Sequence, residues 1–330
     1  MTSANMFEYA LNRQGFVMKR ILFSIVVIML SILCINQTTL GANSSHNAAC
    51  RCQINQACWP KTDEWNKLEK ELQGHLIKPV LPLSPCLTNT TSTACHTAIK
   101  NIHNPYFNES DPGATQSQGW MDAWKNHPSQ YAVEVETTND VAAAVKFARK
   151  HQLKLVIKGT GHDYLGRSNA PQSLLIWTHK MRNVKFDPSF TPQGCSATRK
   201  PVPAVTVEAG VRWLEAYGEV TTNQHRYVQG GGCATVGAAG GFTQGGGFGS
   251  FSKMFGTGAA GILQAEIVTA NGDILIANEC QNKDLFWAIR GGGAGTFGVI
   301  TKMTLKTHDL PENFGSLQAH PIHQMLPRIM

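Results

Sequence analysis

Glycine density between residues 230 and 249 constrains the fold of this chain more than any other sequence feature. Ten of these twenty residues are glycine, and the residues among them include Cys233, Val236 and Phe242, which are of the type found in protein cores. A flexible linker would not carry such residues, and each glycine costs chain entropy on folding. We therefore expect an ordered segment whose backbone N–H groups approach a ligand, and a phosphate or pyrophosphate fits best.

A second glycine loop lies in the sequence VIKGTGHDYLGRSN, residues 156–169. An apolar, strand-like run ends at Lys158, a turn containing Gly159 and Gly161 follows, and His162 comes next. Two interpretations are open from this stretch alone. His162 either satisfies hydrogen bonds within a tight loop, or it reacts with or ligates a molecule that the glycines admit.

A third glycine segment, GGGAGTFG at residues 291–298, has the spacing of a dinucleotide fingerprint at Gly293, Gly295 and Gly298. In a Rossmann NAD site a strand precedes the glycines and a helix follows them, whereas here the predicted order is reversed and the required acidic residue is missing. The chain also has no Gly-Lys-Ser/Thr sequence of a nucleotide-triphosphate loop. The remaining candidate ligand is a large dinucleotide that is bound by another fold.

Composition places the chain among globular proteins. It has 330 residues, of which 42% are hydrophobic, and this is ample for one large domain or two smaller ones. The formal net charge of +7 arises from 29 basic and 22 acidic residues, without a basic stripe that carries interleaved aromatics. Nucleic acid is therefore not an expected partner.

The N-terminus predicts a secretory signal peptide within residues 1–42. Met18-Lys19-Arg20 precedes fifteen mostly apolar residues, and the small residues Gly41 and Ala42 could precede a cleavage point. An uncleaved anchor is the alternative, although fifteen residues fall short of the ~20 that span a bilayer. We expect an extracellular protein with no stable membrane span after cleavage.

A cysteine-rich region, residues 43–126, follows the predicted signal. Five cysteines crowd into a polar stretch of it, which in an oxidising compartment favours disulfides, and no partner pair at zinc-site spacing supports a metal. If Cys34 leaves with the signal and Cys233 is occupied otherwise, seven cysteines remain and at least one is unpaired. Three glycosylation acceptors are present, at Asn43, Asn89 and Asn108.

From residue 127 onward the apolar periodicity predicts alternating strands and helices. Helices are expected at 138–151 with Thr138 or Asn139 as the N-cap, at 212–224, and at 282–290 with Asn282 as the cap. Strands are expected at 153–158, 173–178, 204–210 and 298–307, together with a hairpin that turns at Asn271-Gly272. The pattern indicates a mixed α+β domain.

The three glycine segments, in this order and spacing, resemble the FAD-binding (PCMH-type) domain of the vanillyl-alcohol oxidase superfamily. The subgroup that they most resemble is that of the berberine bridge enzyme-like oxidases, which includes oligosaccharide oxidases and secreted fungal proteins. The resemblance covers residues 127–309 and implies an α+β fold of two subdomains, with mixed sheets flanked by helices. Plant-like members have histidine where this chain has Phe242 and proline where it has Ala234, so plant enzymes are not the expected relatives.

The resemblance implies a role for His162 and for Cys233. In the subgroup these positions are bonded to the 8α methyl and to carbon 6 of FAD, and imidazole and thiolate are suitable nucleophiles for such carbons. Val236 corresponds to an oxygen gate, and its small size favours an oxidase. The residues expected to bind the cofactor are Lys158, Gly159, Thr160, Gly161, His162, Asp163, Gly166, Ser168, Gly232, Cys233, Thr235, Val236, Gly237, Gly241, Gly245, Gly246, Gly247, Gly249 and Val299.

The implied reaction is oxidation of a C–H bond beside a hydroxyl or amine of a small molecule, with electrons passing through FAD to dioxygen and forming hydrogen peroxide. Family members continue beyond this length with a substrate domain that supplies the catalytic base, which therefore stays unassigned. Residues 310–330 look divergent, and a frameshift or stop near Ser316 would produce such a tail. An inactive, truncated FAD-binding remnant or gene fragment is the alternative function.

Overall fold

A computed structural model describes residues 51–195 and 199–310, which fall within one compact unit that begins at Arg51. Four strands form a first sheet in the order β1-β4-β6-β5. Strands β4, β6 and β5 run parallel, and β1 is antiparallel to β4. The bounds are His75–Ile77 for β1, Tyr131–Glu134 for β4, Lys154–Lys158 for β5 and Ser173–Trp177 for β6.

A second, antiparallel sheet has the order β11-β10-β12-β8-β7, and β9 pairs with the end of β12. Strands β2 and β3 pair only with each other, in a short antiparallel hairpin. The bounds are Gly119–Trp120 (β2), Trp124–Lys125 (β3), Val184–Phe190 (β7), Val202–Glu208 (β8), Arg226–Val228 (β9), Ile262–Val268 (β10), Ile274–Asn278 (β11) and Val299–Asp309 (β12).

Helix α5, Thr138–Lys150, lies between the two sheets. Thr137 caps it by accepting a hydrogen bond from Asp140, and the Asp140 carboxylate accepts one from the Thr137 backbone, so the helix cap lies one residue before the predicted one. One face of the helix packs into a core with side chains from both sheets, since that core contains Val133, Leu174 and Ile176 of the first and Val268 and Val299 of the second.

The remaining helices are short. Their bounds are Thr62–Glu71 (α1), Ser84–Thr88 (α2), Thr93–Asn101 (α3), Pro105–Ser110 (α4), Trp213–Tyr217 (α6), Gly241–Gln244 (α7), Ser252–Phe255 (α8) and Lys283–Ile289 (α9). A 3₁₀ turn, Ala259–Gly261, precedes β10. The single helix predicted at 212–224 is instead α6 followed by a π-helical segment, Gly218–Asn223. The predicted strands are present, whereas β4, β7 and β9 were not expected.

Of two residues with predicted local roles, Gly272 has the predicted role and Asn282 does not. Gly272 has φ +81° in the turn between β10 and β11, a conformation that glycine adopts without strain. Asn282 does precede α9, but its φ is +48°, and its side-chain amide donates to the Ile276 carbonyl instead of capping the helix. The loop therefore uses Asn282 for its tolerance of left-handed backbone.

The described part of the cysteine-rich region shares its core with the elements that follow residue 126. Strand β1 completes the first sheet, and Trp65 and Leu68 of α1 pack in the core around α5. Disulfides join Cys52 to Cys58 and Cys86 to Cys95, and a third joins Cys195 to Cys280. The predicted mixed α+β fold, with two sheets and flanking helices, is confirmed.

The predicted signal peptide, Asn43, Cys50 and the tail at 311–330 lie outside the described residues. Within residues 51–195 and 199–310, no helix combines the length and the apolar composition that crossing a membrane requires. Asn108 is 4% exposed and its side-chain amide donates to the Ile102 carbonyl, so the folded chain has no room for a glycan there. A glycan at Asn108 is therefore not expected on the folded chain.

Candidate functional site

The first two predicted glycine segments meet in the folded chain. A Cβ atom built on Gly237 would lie 3.5 Å from Oγ1 of Thr160, so these two loops lie next to each other. The loop after β5 therefore packs against the segment that leads into α7, although about 75 residues separate them in sequence.

The third glycine segment lies beside the first two. The Gln244 carbonyl, at the end of α7, accepts hydrogen bonds from the amides of Gly291 and Gly293 at 3.0 and 3.1 Å. A Cβ on Gly295 would lie 3.1 Å from Cδ1 of Ile157 in β5. All three segments that were singled out from the sequence thus converge at the end of β5.

The predicted attachment residues lie on either side of one hydroxyl group. Nε2 of His162 is 2.9 Å from Oγ1 of Thr235, and Sγ of Cys233 is 3.5 Å from the same oxygen. Cys233 is exposed and carries a free thiol, while six other described cysteines form disulfides. The chain therefore presents a histidine and a thiol together, as a ligand attached through both would require.

Burial controls the charge of His162. It lowers the pKa of the imidazole below its ordinary value of 6.5, and the neighbouring Thr235 opposes part of this shift. The ring is therefore neutral at pH 7 and keeps one nitrogen lone pair. A neutral imidazole is the form that can act as a nucleophile.

Close backbone approach explains two of the glycines. Gly161 has φ +79°, and a Cβ there would lie 2.8 Å from Cε of Lys158. A Cβ on Gly249 would lie 2.2 Å from the Gly230 carbonyl oxygen. In contrast, Gly232 and Gly246 have no atom within 4 Å of a built Cβ, so these glycines border open space that a ligand can use.

Lys158 is committed to the fold through its side chain. It is 1% exposed, and Nζ donates to the carbonyls of Asn108, Asp111 and Ala114 at 3.0, 2.6 and 2.9 Å. Burial lowers its pKa to about 7, and the Asp111 charge opposes part of that shift. Only the backbone of Lys158 can serve the cofactor role predicted for this residue.

Two other predicted cofactor residues also use their side chains elsewhere. The Asp163 carboxylate accepts from the Leu165 amide and pairs with Arg167 at 2.7 Å, which closes its own loop. Val299 is 3% exposed within the core around α5. Ser168 is buried, and Val236 packs partly buried against the core of the second sheet. The roles of Ser168 and Val236 toward the cofactor stay predictions.

Sequence reasoning missed a segment of the cysteine-rich region that reaches this site. The Gln116 amide donates to the Gly161 carbonyl at 3.1 Å. The flanking hydroxyls of Thr115 and Ser117 are buried and have no hydrogen-bond partner within the described parts of the chain. No motif marks these residues, because their position follows from tertiary packing alone.

The residues of this site fit an FAD. A large dinucleotide needs open backbone beside its site, and the glycines at 232 and 246 offer it. The pair of His162 and Cys233 fits a flavin attached through two atoms. The converging glycine loops thus supply open backbone together with a histidine and a free thiol.

Known proteins share this sequence and fold. Residues 129–278 match the family described as "FAD binding domain". The FAD-linked oxidoreductase malF of Malbranchea aurantiaca is 40% identical over 293 residues, which cover 82% of this chain and 49% of that protein. The crystal structure of the VAO-type flavoprotein MtVAO615 from Myceliophthora thermophila C1 superposes with a TM-score of 0.68 at 35% identity, covering 79% of this chain and 50% of the other.

A third similar structure is glucooligosaccharide oxidase from Acremonium strictum, whose flavin is 6-S-cysteinyl, 8α-N1-histidyl FAD. It is 26% identical with a TM-score of 0.51, over 57% of this chain and 37% of the other. The chain spans about half the length of the curated relatives it matches. Its glycine segments, its fold and these relatives together show that the chain belongs to the vanillyl-alcohol oxidase superfamily through its PCMH-type FAD-binding domain.

Proposed function

We propose that the protein is an FAD-dependent oxidase that acts on a small molecule. The observation that carries this proposal is the placement of His162 and Cys233 at one buried hydroxyl, beside open glycine backbone. The relatives support it, since they are named FAD-linked oxidoreductase and VAO-type flavoprotein oxidase. We further propose donors with a C–H bond next to a hydroxyl or an amine.

The residues of this chain would bind and orient FAD. Backbone amides of the glycine loops are suited to hold the pyrophosphate, and His162 and Cys233 are suited to fix the flavin ring covalently. Bound FAD supplies hydride acceptance from the donor C–H and electron transfer to dioxygen with formation of hydrogen peroxide. Glucooligosaccharide oxidase carries one cysteinyl and one histidyl link to its flavin, which supports the double attachment.

Val236 would govern the access of dioxygen. Its side chain is partly buried beside the core of the second sheet and directly follows Thr235. Valine occupies less volume than isoleucine, which leaves space for a diatomic molecule near the attachment site. This supports an oxidase over a dehydrogenase.

We also propose that the protein is secreted. Three disulfides are present among the described residues, and such bonds persist in oxidising compartments. The basic and apolar pattern at residues 18–35 is typical of a secretory signal.

Peroxide release tests the proposed activity. The chain would be expressed in a secretory host and supplied in air with panels of sugars, aromatic alcohols and amines, while peroxide is followed with a peroxidase-coupled dye. We expect peroxide with at least one panel in the wild type and none in the His162→Ala, Cys233→Ala double variant. Flavin-loaded protein that yields no peroxide with any donor would contradict the oxidase proposal.

A further inference from the structure

Thr235 lies between the two side chains that the proposed attachment needs. Its side chain is 4% exposed, and its hydroxyl is within hydrogen-bond distance of both the His162 ring and the Cys233 sulfur. The family resemblance implies only that the backbone at Thr235 surrounds the cofactor. The position of its hydroxyl therefore calls for a separate explanation.

We propose that Thr235 is a positioning residue that selects Nδ1 of His162 as the nitrogen attached to the flavin and, with the same hydroxyl, prepares the sulfur of Cys233 for the second link. The inference rests on the covalent attachment proposed above. Thr235 itself forms no bond to the cofactor.

The single proton of the Thr235 hydroxyl can be donated to only one of its two neighbours. If it is donated to Nε2 of His162, the ring proton sits on Nδ1, and neither nitrogen has an uncommitted lone pair. If the hydroxyl accepts from Nε2–H instead, Nδ1 keeps a free lone pair. Only the second arrangement leaves a nucleophilic nitrogen, and that nitrogen is Nδ1.

The second arrangement also acts on Cys233. Once Thr235 accepts a hydrogen bond from His162, its own proton is directed to the sulfur at 3.5 Å. This hydrogen bond holds the sulfur beside the His162 ring, where the second link is proposed. One hydroxyl thereby prepares both nucleophiles. Burial of His162, which keeps the imidazole neutral at pH 7, supports this arrangement because a cationic ring has no lone pair.

Each link is an oxidation, and dioxygen balances it. A flavin C–H and the N–H of histidine or the S–H of cysteine combine with one O₂, which gives the C–N or C–S bond and one hydrogen peroxide. The carbon loses two electrons and dioxygen gains them. Attachment therefore requires air, as does the proposed oxidase activity.

Three variants test the role of Thr235. Thr235→Val removes the hydroxyl and keeps the shape, Thr235→Ser restores a hydroxyl, and Thr206→Val is the matched control. Thr206 lies in β8, where its hydroxyl forms a hydrogen bond of 2.9 Å with that of Thr304. Each full-length variant would be made in air and denatured, and the fraction of chains that retain FAD would be measured by intact mass.

We expect Thr235→Val to lower the doubly linked fraction about tenfold, which is the effect of one lost hydrogen bond on a rate. Thr235→Ser should restore most of it, and Thr206→Val should match the wild type. The attachment nitrogen, determined by NMR on the proteolytic flavin peptide, should be Nδ1. A doubly linked fraction in Thr235→Val equal to that of the wild type would overturn the proposal. Attachment of the wild-type flavin through Nε2 would overturn it as well.

A wild type without any bound flavin would refute the covalent attachment and leave a separate test for Thr235. Long-range ¹H–¹⁵N NMR of the folded chain gives the tautomer of His162, whose signals are identified by their loss in His162→Ala. A proton on Nε2 is expected, and its replacement by the Nδ1–H form in Thr235→Val would support the role. A proton on Nδ1 in the wild type would overturn it.

Discussion

At the scale of single residues, the site depends on side chains whose partners are far away in sequence. His162 and Cys233 were predicted because they stand in motifs that resemble a known family. The role of Lys158 could not be predicted, because the three carbonyls that it binds lie 44 to 50 positions away. Thr115 and Ser117 were missed for the same reason, since only packing brings them to Gly161.

Replacement of Lys158 should destabilise the fold. Lys158→Met keeps most of the volume but removes the donor to the carbonyls of Asn108 and Ala114, while the Asp111 carbonyl keeps the Ala114 amide as its donor. Each unpaired buried group costs about 1–3 kcal/mol. We expect the free energy of unfolding to fall by about 2 kcal/mol or more, measured by urea unfolding monitored through tryptophan fluorescence.

The matched control is Lys154→Met. Lys154 begins the same strand and is exposed, so its replacement should change the free energy of unfolding by no more than about 0.5 kcal/mol. Equal effects of the two substitutions would show that the buried ammonium does not hold the 108–114 segment.

At the scale of elements, the sequence predicted the parts that have strong local signals. Alternating apolar residues and Asn271-Gly272 located the hairpin of β10 and β11, and helical spacing located α5. The break of 212–224 into α6 and a π-helix was not predictable, since its apolar pattern suits a continuous helix. Helix α1 and β1 of the cysteine-rich region were also missed, because α1 packs in the core around α5 and β1 pairs with β4.

The two described acceptor sequences should behave differently in a secretory host. Asn89 is exposed in the loop that the Cys86–Cys95 disulfide closes, whereas Asn108 is buried. We expect Asn89→Gln to remove one endoglycosidase-sensitive mass increment and Asn108→Gln to leave the mass pattern unchanged. A glycan found on Asn108 by peptide mapping would contradict this assignment.

The disulfides should differ in their effect on stability. Cys195 and Cys280 are 85 residues apart, and Cys52 and Cys58 are 6 apart. Loop-closure entropy gives about 4–5 kcal/mol for the long loop and about 2 kcal/mol for the short one. Replacing each pair by alanine should therefore lower the midpoint of urea unfolding about twice as far for the Cys195–Cys280 pair. The reverse order would contradict the chain-entropy explanation.

At the scale of the whole molecule, the candidate site is a meeting point of distant segments. Residues near 116, 161, 235, 244 and 293 are brought together by both sheets and by the cysteine-rich region. The sequence predicted the fold class, and the family resemblance predicted that the loops at 158–168 and 232–249 serve one cofactor. It did not predict the approach of residue 116, which depends on tertiary packing. The site therefore requires the whole unit to be folded.

Acid should destabilise the folded molecule before its carboxylates are protonated. Burial lowers the pKa of four histidines, namely His151, His162, His179 and His308. Below about pH 6.5 the unfolded chain binds protons that the folded chain does not, so stability is present above that pH and is lost as the pH falls. We expect a lower urea midpoint at pH 5.5 than at pH 7.5, and an equal or higher midpoint would contradict it.

The central claim is that His162 and Cys233 hold FAD, and the mass of the denatured chain tests it most directly. The full chain would be expressed in air, denatured in acid and measured as wild type, His162→Ala, Cys233→Ala and the double variant. We predict that the wild type retains the mass of FAD, that each single variant retains it through the other residue, and that the double variant has none. A folded wild type with the mass of the polypeptide alone would contradict the claim.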